Sequence, residues 1–158
     1  MSVTLLAWLG LAIAGPATLV SPVHPACISS PFGNRRAPGP HALGPHYGID
    51  LPAAAGAPVF AAADGQVVTI HRRGPGGLEL AIAHTGPKGP FVTLYAHLGI
   101  ITPSIASGRT AVRAGEKIAV VGRSGVIYGT HLYFEVLVAG QAVDPAPWLP
   151  VRPCGAAP

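Results

Sequence analysis

The segment GTHLYFEV, residues 129–136, alternates polar and apolar side chains as a β-strand with one buried face does. Successive side chains of a strand point to opposite faces, so His131, Tyr133 and Glu135 share one face. The leucine, phenylalanine and valine between and after them share the other face, which is suited to a core. The polar face carries an imidazole, a phenol and a carboxylate, and it needs a functional explanation.

The rest of the chain also has the pattern of a β-protein. Glycine occurs 21 times and proline 18 times, so densely that no amphipathic helix of ordinary length is predicted. Short β-rich segments bounded by turn residues are the predicted strands. These segments are residues 59–62, 66–71, 78–84, 91–97, 117–121 and 131–138. The sequence therefore predicts an all-β fold, an antiparallel sandwich or partly open barrel.

Composition limits the classes of partner. The 158 residues are 49% hydrophobic, enough for the core of a single domain, which we expect to be monomeric. Ten Lys and Arg against six Asp and Glu give a formal net charge of +4. Because no dense basic run or interleaved aromatic series is present, nucleic acid is not predicted as a partner. An anionic cell wall or membrane surface fits the charge at least as well.

Residues 1–20 are predicted to direct export. Residues 3–20 carry no charge, and residues 5–13 form an apolar run of the length expected for a signal-peptide core. Ala12 and Ala14 form an Ala-x-Ala cleavage pattern, although no Lys or Arg precedes the apolar run. The expected location is the periplasm, the extracellular space or the cell wall.

An uncleaved membrane anchor is the alternative interpretation of the same segment. About 18 to 20 apolar residues can span a bilayer. The Gly15-Pro16 pair counts against a continuous spanning helix. We therefore expect residues 1–20 to be a signal peptide or an anchor, and residues 21–158 to form one domain that contacts a membrane only through that segment, if at all.

The chain contains two cysteines, Cys27 and Cys154, near opposite ends of the predicted domain. In an exported chain such a pair predicts one disulfide that ties the two termini together. Lipidation of Cys27 is the alternative, supported by the small residue that precedes it.

One pair of potential metal ligands occurs in the segment HYGID, residues 46–50. Gly48 disfavours a helix there, so His46 and Asp50 are predicted to lie on a turn that enters a strand. Imidazole nitrogen and carboxylate oxygen are both zinc ligands. From spacing alone, a solvated loop pair is the preferred interpretation.

Further motifs change that preference. The segments TLYAHLG (93–99) and GTHLYFEV place His97 and His131 on separate predicted strands. Together with HYGIDLPAAAGAPVFAAADGQVV (46–68), these motifs resemble the lysostaphin-type zinc endopeptidases, which cut peptide cross-links in bacterial peptidoglycan. The resemblance covers about residues 28–145; it also includes ISSPFGNRRAP (28–38), AVRAGEKIAVVGRSG (111–125) and VDP (143–145).

The resemblance implies roles for individual residues. His46 and Asp50 match two zinc ligands in the family's His-x-x-x-Asp motif. His97 matches the histidine of its Tyr-x-His-Leu motif, and His131 the first histidine of its His-x-His motif. These two histidines are expected to be catalytic, because in the family they orient or deprotonate water and stabilise the developing oxyanion. Tyr133 stands where the family has its third zinc ligand, a histidine.

The tyrosine at residue 133 leaves two hypotheses for the function. Deprotonating a phenol at neutral pH costs about 3 pK units, or roughly 4 kcal/mol, which bound metal would have to supply. The first hypothesis is an active zinc endopeptidase in which Tyr133 ligates through its phenolate, or donates a hydrogen bond while another residue completes the site. The second is a catalytically impaired wall-binding or hydrolase-activating module with the same fold.

Overall fold

The structure, a computed structural model, describes residues 18–34, 44–72, 74–127 and 129–156. Most of the predicted signal peptide or anchor therefore lies outside the described residues. Within them the chain forms eleven strands, one short α-helix and one 3₁₀ turn. They are β1 (Gly33–Asn34), β2 (Pro45–His46), β3 (Ile49–Pro52), β4 (Pro58–Phe60), β5 (Gly65–His71), β6 (Leu78–Gly86), β7 (Gly89–Ile101), α1 (Pro103–Ala106), β8 (Ala111–Val112), β9 (Lys117–Val121), β10 (His131–Val138), β11 (Gln141–Val143) and the 3₁₀ turn (Ala146–Trp148).

Strand β7 is the centre of a branched nine-stranded antiparallel sheet. Its neighbours are β6 on one side and β10 on the other, and β6 continues through β5 to β8. Beyond an irregularity between Leu98 and Ile101, β7 pairs with β9, which in turn pairs with β4. Strands β3 and β11 both pair with the outer side of β10, and β1 with β2 forms a separate ribbon. The predicted all-β, antiparallel fold class is confirmed.

The predicted strand boundaries agree in part with the structure. Residues 117–121 and 131–138 coincide with β9 and β10. Residues 91–97 lie inside the thirteen-residue β7, and the predicted strand 59–62 is two residues too long at its end. Strands β5 and β6, and β6 and β7, form antiparallel hairpins. Residues 66–71 and 78–84 lie within β5 and β6. Strands β1, β2, β3, β8 and β11 were not predicted, because each has only two to four residues.

The apolar face of β10 lies in the core, as its alternation predicts. Leu132, Phe134 and Val136 have no exposed surface, and the Phe134 ring packs edge-on against Tyr95 at 5.3 Å between centroids. Burying each such side chain contributes about 1.5 to 3 kcal/mol. The opposite face of β10 is only half-buried, and its side chains border a cleft.

The first described residues are part of the same core. Leu19 is 2% exposed, and its N–H donates to the carbonyl of Trp148 at 2.7 Å. The N–H of Val20 donates to Ala62 at 2.8 Å. The domain boundary at residue 20 stays a prediction, but the described residues before it already contact the domain. No helix among the described residues is both long and apolar enough to cross a membrane.

The two ends of the domain are joined covalently. Cys27 and Cys154 form the predicted disulfide, with 127 residues of sequence separation. The proline-rich tail returns to the body, where Trp148 packs against Phe91 at 5.2 Å between ring centroids. Trp148 ends a 3₁₀ turn.

Candidate metal centre

The register of three strands gathers the predicted site residues on one side of the sheet. Asp50 on β3 lies opposite Tyr133 on β10, which lies opposite Ala96 on β7. Directly opposed residues of antiparallel strands share a face, so Asp50 and Tyr133 point to the same side. His97 follows Ala96, and His46 ends β2 just before β3. A single cleft of about 640 Å³ is lined by all five predicted site residues, His46, Asp50, His97, His131 and Tyr133.

Two imidazoles approach the same oxygen of the Asp50 carboxylate. Its Oδ1 lies 3.2 Å from Nε2 of His46 and 3.4 Å from Nε2 of His131. Two donors that share a tetrahedral zinc ion at about 2.0 to 2.1 Å are separated by about 3.3 Å. Both measured distances therefore match edges of a zinc coordination tetrahedron. Among the described residues, no three His, Cys, Asp or Glu side chains together have the geometry of a metal site. The case for a metal centre therefore depends on these two distances to Asp50.

All three imidazoles of the cleft are oriented by main-chain carbonyls. The contacts are His46 Nδ1 to Pro31 O at 2.8 Å, His97 Nδ1 to Ser124 O at 2.9 Å and His131 Nδ1 to Gly129 O at 2.8 Å. A carbonyl oxygen can only accept, so in the neutral ring Nδ1 carries the proton and Nε2 keeps its lone pair. Metal-binding histidines are commonly fixed in this way. The tautomer that each carbonyl selects leaves Nε2 available as a ligand or a base.

His97 reaches the cleft through an unusual backbone conformation. Strict alternation would direct its side chain away from the face that Ala96 shares with Tyr133, but its φ is +60°. Its N–H donates to Gly76, and its carbonyl accepts from Gly122. A left-handed conformation in a residue other than glycine costs energy and is concentrated at functional sites. Burial lowers the pKa of His97, which favours the neutral imidazole that a general base requires.

Both the ring and the hydroxyl of Tyr133 are held by neighbouring groups. Its hydroxyl donates to Oε2 of Glu135 at 2.8 Å. Its ring packs on Gly48, where a Cβ atom would lie 2.8 Å from Tyr133 Cζ. Burial raises the pKa of Glu135, and the hydrogen bond from Tyr133 opposes that effect. The ligand role predicted for Tyr133 stays a prediction.

Several residues of the site were not identified from the sequence. Glu135 shares a face with His131 and Tyr133 by alternation, which is a usable signal, but its bond to the phenol depends on side-chain conformation. Glu79 also lines the cleft and was not expected there. Pro31 and Ser124 act through main-chain atoms, which no side-chain motif reveals.

An antiparallel β-domain with imidazole and carboxylate donors in one cleft is the arrangement expected of the class of β-sheet metallopeptidase domains. Within that class, the chain belongs to peptidase family M23, whose family model matches residues 44–145. The predicted lysostaphin-type family is thereby confirmed.

Two curated relatives illustrate the range of names in this family. DD-carboxypeptidase/endopeptidase Mpg of Neisseria meningitidis serogroup B is 41% identical over 126 residues, which is 80% of this chain and 28% of that protein. Murein hydrolase activator EnvC of Escherichia coli is 39% identical over 102 residues, 65% of this chain and 23% of that protein. The chain therefore spans about a quarter of the length of these two relatives.

Solved structures agree with this assignment. A zinc-containing peptidase from Vibrio cholerae superimposes with a TM-score of 0.66 at 33% identity, covering 83% of this chain and 39% of that one. The catalytic domain of lysostaphin from Staphylococcus simulans superimposes with a TM-score of 0.64 at 23% identity, covering 78% of this chain and 91% of that one. The second likeness concerns the fold alone.

Proposed function

We propose that this member of peptidase family M23 is a zinc-dependent endopeptidase that hydrolyses peptide cross-links of bacterial peptidoglycan. The observation that carries the proposal is the approach of His46 and His131 to one oxygen of Asp50, inside a cleft that also contains His97. The Neisseria relative, which aligns with 80% of this chain, is a DD-carboxypeptidase/endopeptidase, and this likeness supports a peptide substrate.

The donors of the cleft suit zinc. Zinc binds imidazole nitrogen and carboxylate oxygen, and its catalytic sites combine three protein ligands with one open position. His46 and Asp50 are two of the proposed ligands, and β10 provides the third, for which the family resemblance predicts Tyr133. When bound, zinc supplies Lewis-acid polarisation of the scissile carbonyl and lowers the pKa of water.

The residues around that centre have separate proposed tasks. His97, neutral and fixed by the carbonyl of Ser124, accepts the proton of the attacking water through Nε2. The resulting imidazolium then donates a proton to the leaving amine, so that the released amino group is neutral when it departs. The walls of the cleft hold the peptide on either side of these groups.

A hydrolase-activating or wall-binding module is the second candidate. One specific observation favours it: a phenol stands at the position of a zinc-ligating histidine, and its hydroxyl is bonded to Glu135. The name of the Escherichia coli relative shows that a protein with a similar domain can activate hydrolases. Such a module would keep the cleft and bind peptidoglycan without cutting it.

We also propose that the protein acts as an exported monomer. The uncharged N-terminal segment and the disulfide between Cys27 and Cys154 support export, because disulfides persist in oxidising compartments. A peptidoglycan substrate requires the same location.

The test combines metal analysis with cell-wall hydrolysis. We expect purified protein to clear a suspension of peptidoglycan, to stop doing so after chelator treatment and to recover when zinc is added back. Mass analysis of the products should show new amino and carboxyl termini in the cross-linking peptides. Asp50→Asn is the control and should be inactive.

Clearance that neither chelator nor Asp50→Asn affects would overturn the zinc mechanism. Binding to peptidoglycan without clearance, combined with stimulation of a separate amidase, would favour the second candidate.

A further inference from the structure

We propose that His131, and not Tyr133, provides the third protein ligand of the metal, while Tyr133 is a positioning residue anchored by Glu135. The inference rests on the metal dependence proposed above and assigns its ligand set. It also changes the role predicted for His131, from a catalytic residue to a ligand.

Distance is the first argument for His131. Its Nε2 lies 3.4 Å from Asp50 Oδ1, almost the same as the 3.2 Å between His46 Nε2 and that oxygen. Both values match the separation of two ligands on one tetrahedral zinc ion, about 3.3 Å. His131 therefore stands at nearly the same distance from the Asp50 oxygen as His46, where it can share an ion with that oxygen.

Orientation is the second argument. The carbonyl of Gly129 accepts from His131 Nδ1 at 2.8 Å, so the lone pair of the neutral ring is on Nε2, the atom nearest Asp50. The side chain is 16% exposed, which leaves it accessible to an ion entering from solvent. His131 thus already has the tautomer, direction and access of a zinc ligand.

The position of Tyr133 is the third argument. Its ring is seated on Gly48, and its hydroxyl donates to Glu135 at 2.8 Å. The phenol oxygen is thus already bonded to a carboxylate on the same face of β10, and the ring is held in place by the backbone beside it.

If His131 is the ligand, β10 can complete a metal site although residue 133 is a tyrosine and not the histidine of the family motif. Residues 131 and 133 share a face of β10, two positions apart along the strand. A shift of the ion toward residue 131 keeps the same strand, the same face and the same donor chemistry. Because His131 is then occupied by metal, proton transfer falls to His97 alone.

Zinc affinity, measured by competition with a chromophoric chelator, tests the ligand assignment independently of activity. We expect Tyr133→Phe, which removes only the phenol oxygen, to change zinc affinity by less than about threefold. His131→Gln should weaken binding by at least about 100-fold, as Asp50→Asn does, since losing even an outer partner of a ligand costs 10- to 100-fold. His97→Gln is the matched histidine control and should remain near wild type.

A second measurement uses unmodified protein, so it does not depend on the folding of a variant. During a zinc titration followed by long-range ¹H–¹⁵N spectra, we expect the Nε2 resonances of His46 and His131 to shift together. The Nε2 resonance of His97 should not take on the shift of a metal-bound nitrogen.

The inference is overturned if Tyr133→Phe loses zinc as severely as Asp50→Asn, or if His131 Nε2 does not respond to zinc. Failure of the ligand assignment can be distinguished from failure of the proposed endopeptidase activity. Zinc bound through His131 in a protein that does not cut peptidoglycan would leave this inference standing and remove the endopeptidase. Zinc that binds wild type no better than Asp50→Asn would remove both.

Discussion

At the scale of single residues, the cleft depends on backbone atoms as much as on side chains. The carbonyls of Pro31, Ser124 and Gly129 each hold one imidazole. Changing the side chains of those three residues leaves the carbonyls in place, whereas moving the loops that carry them would turn the imidazoles. The geometry of the cleft is therefore more sensitive to loop conformation than to loop sequence.

Gly48 offers a prediction at this scale. A Cβ at residue 48 would overlap the carbonyl oxygen of Phe134 and the ring of Tyr133. We expect Gly48→Ala to lower the free energy of unfolding by about 1 to 3 kcal/mol, as overpacking does, and to displace the phenol. Chemical denaturation would measure the loss. Gly129→Ala is the matched control, because a Cβ there has no heavy atom within 4 Å, and equal stability of the two variants would contradict the steric argument.

Sequence patterns identified five residues that line the cleft, but not how these residues are connected. The histidines and Asp50 were found because they occur in ordered motifs. The bond between Tyr133 and Glu135 could not be predicted, since a rotamer decides it and the two residues could equally face other partners. The φ of His97 could not be predicted either, because strand alternation gives the opposite direction for its side chain.

At the scale of strands, β10 was predicted well because one of its faces is buried and the other borders the cleft. That difference produces the alternation on which the prediction rests. Strand β3 carries Asp50 and was missed, because four residues ending in proline give too short a pattern. Its pairing with β10 depends on residues 79 to 85 positions away, which local sequence does not encode.

A buried histidine links three neighbouring segments of the sheet. His84 on β6 contacts the carbonyl of Asp64 at 2.8 Å through Nδ1 and Thr93 Oγ1 on β7 at 2.7 Å through Nε2. The Thr93 hydroxyl lies 3.1 Å from that of Tyr95, which accepts the N–H of Ala62. The His84 ring is therefore an internal connection between strands.

The pH dependence of stability tests this connection. Burial lowers the pKa of His84 below its usual 6.5, so the unfolded chain binds a proton more readily than the folded one. Stability is then complete above about pH 6.5 and falls as the pH drops through the unfolded value toward the folded one. We expect His84→Gln, in metal-free protein, to show a smaller loss of stability between about pH 7.5 and 5.5 than wild type.

Thermal unfolding at several pH values would provide the measurement. His71→Gln is the control for removing an exposed histidine, since that side chain is 58% exposed. An unchanged pH slope in His84→Gln would show that the buried ring does not couple protonation to folding.

At the scale of the whole molecule, the two ends of the described chain close on each other. The disulfide between Cys27 and Cys154 is reinforced by main-chain bonds on both sides of Ile28, to Arg152 and from Cys154. Leu19 adds an apolar contact and a hydrogen bond to Trp148. The two cysteines predicted that the ends are joined. The contacts of Leu19 were not predicted, because that residue lies in a segment with the pattern of a signal peptide.

Removing the disulfide should have a large effect because its loop is long. In the chain-entropy model, a separation of 127 residues corresponds to about 4 to 5 kcal/mol of stability. We expect the Cys27→Ser, Cys154→Ser double variant to unfold about 10 to 20 °C below the oxidised protein in a thermal scan. Reduced wild type is the control and should unfold with the double variant; a common midpoint for all three samples would mean that the bridge contributes little.

The register between β3 and β10 also has an evolutionary consequence. Main-chain pairing, which does not depend on side-chain identity, holds residue 50 opposite residue 133. A codon for histidine becomes a codon for tyrosine by a single base change, so such a substitution is readily sampled and leaves the scaffold intact. Residue 133 can therefore change its identity, and with it the chemistry of the cleft, while the register of the strands stays the same.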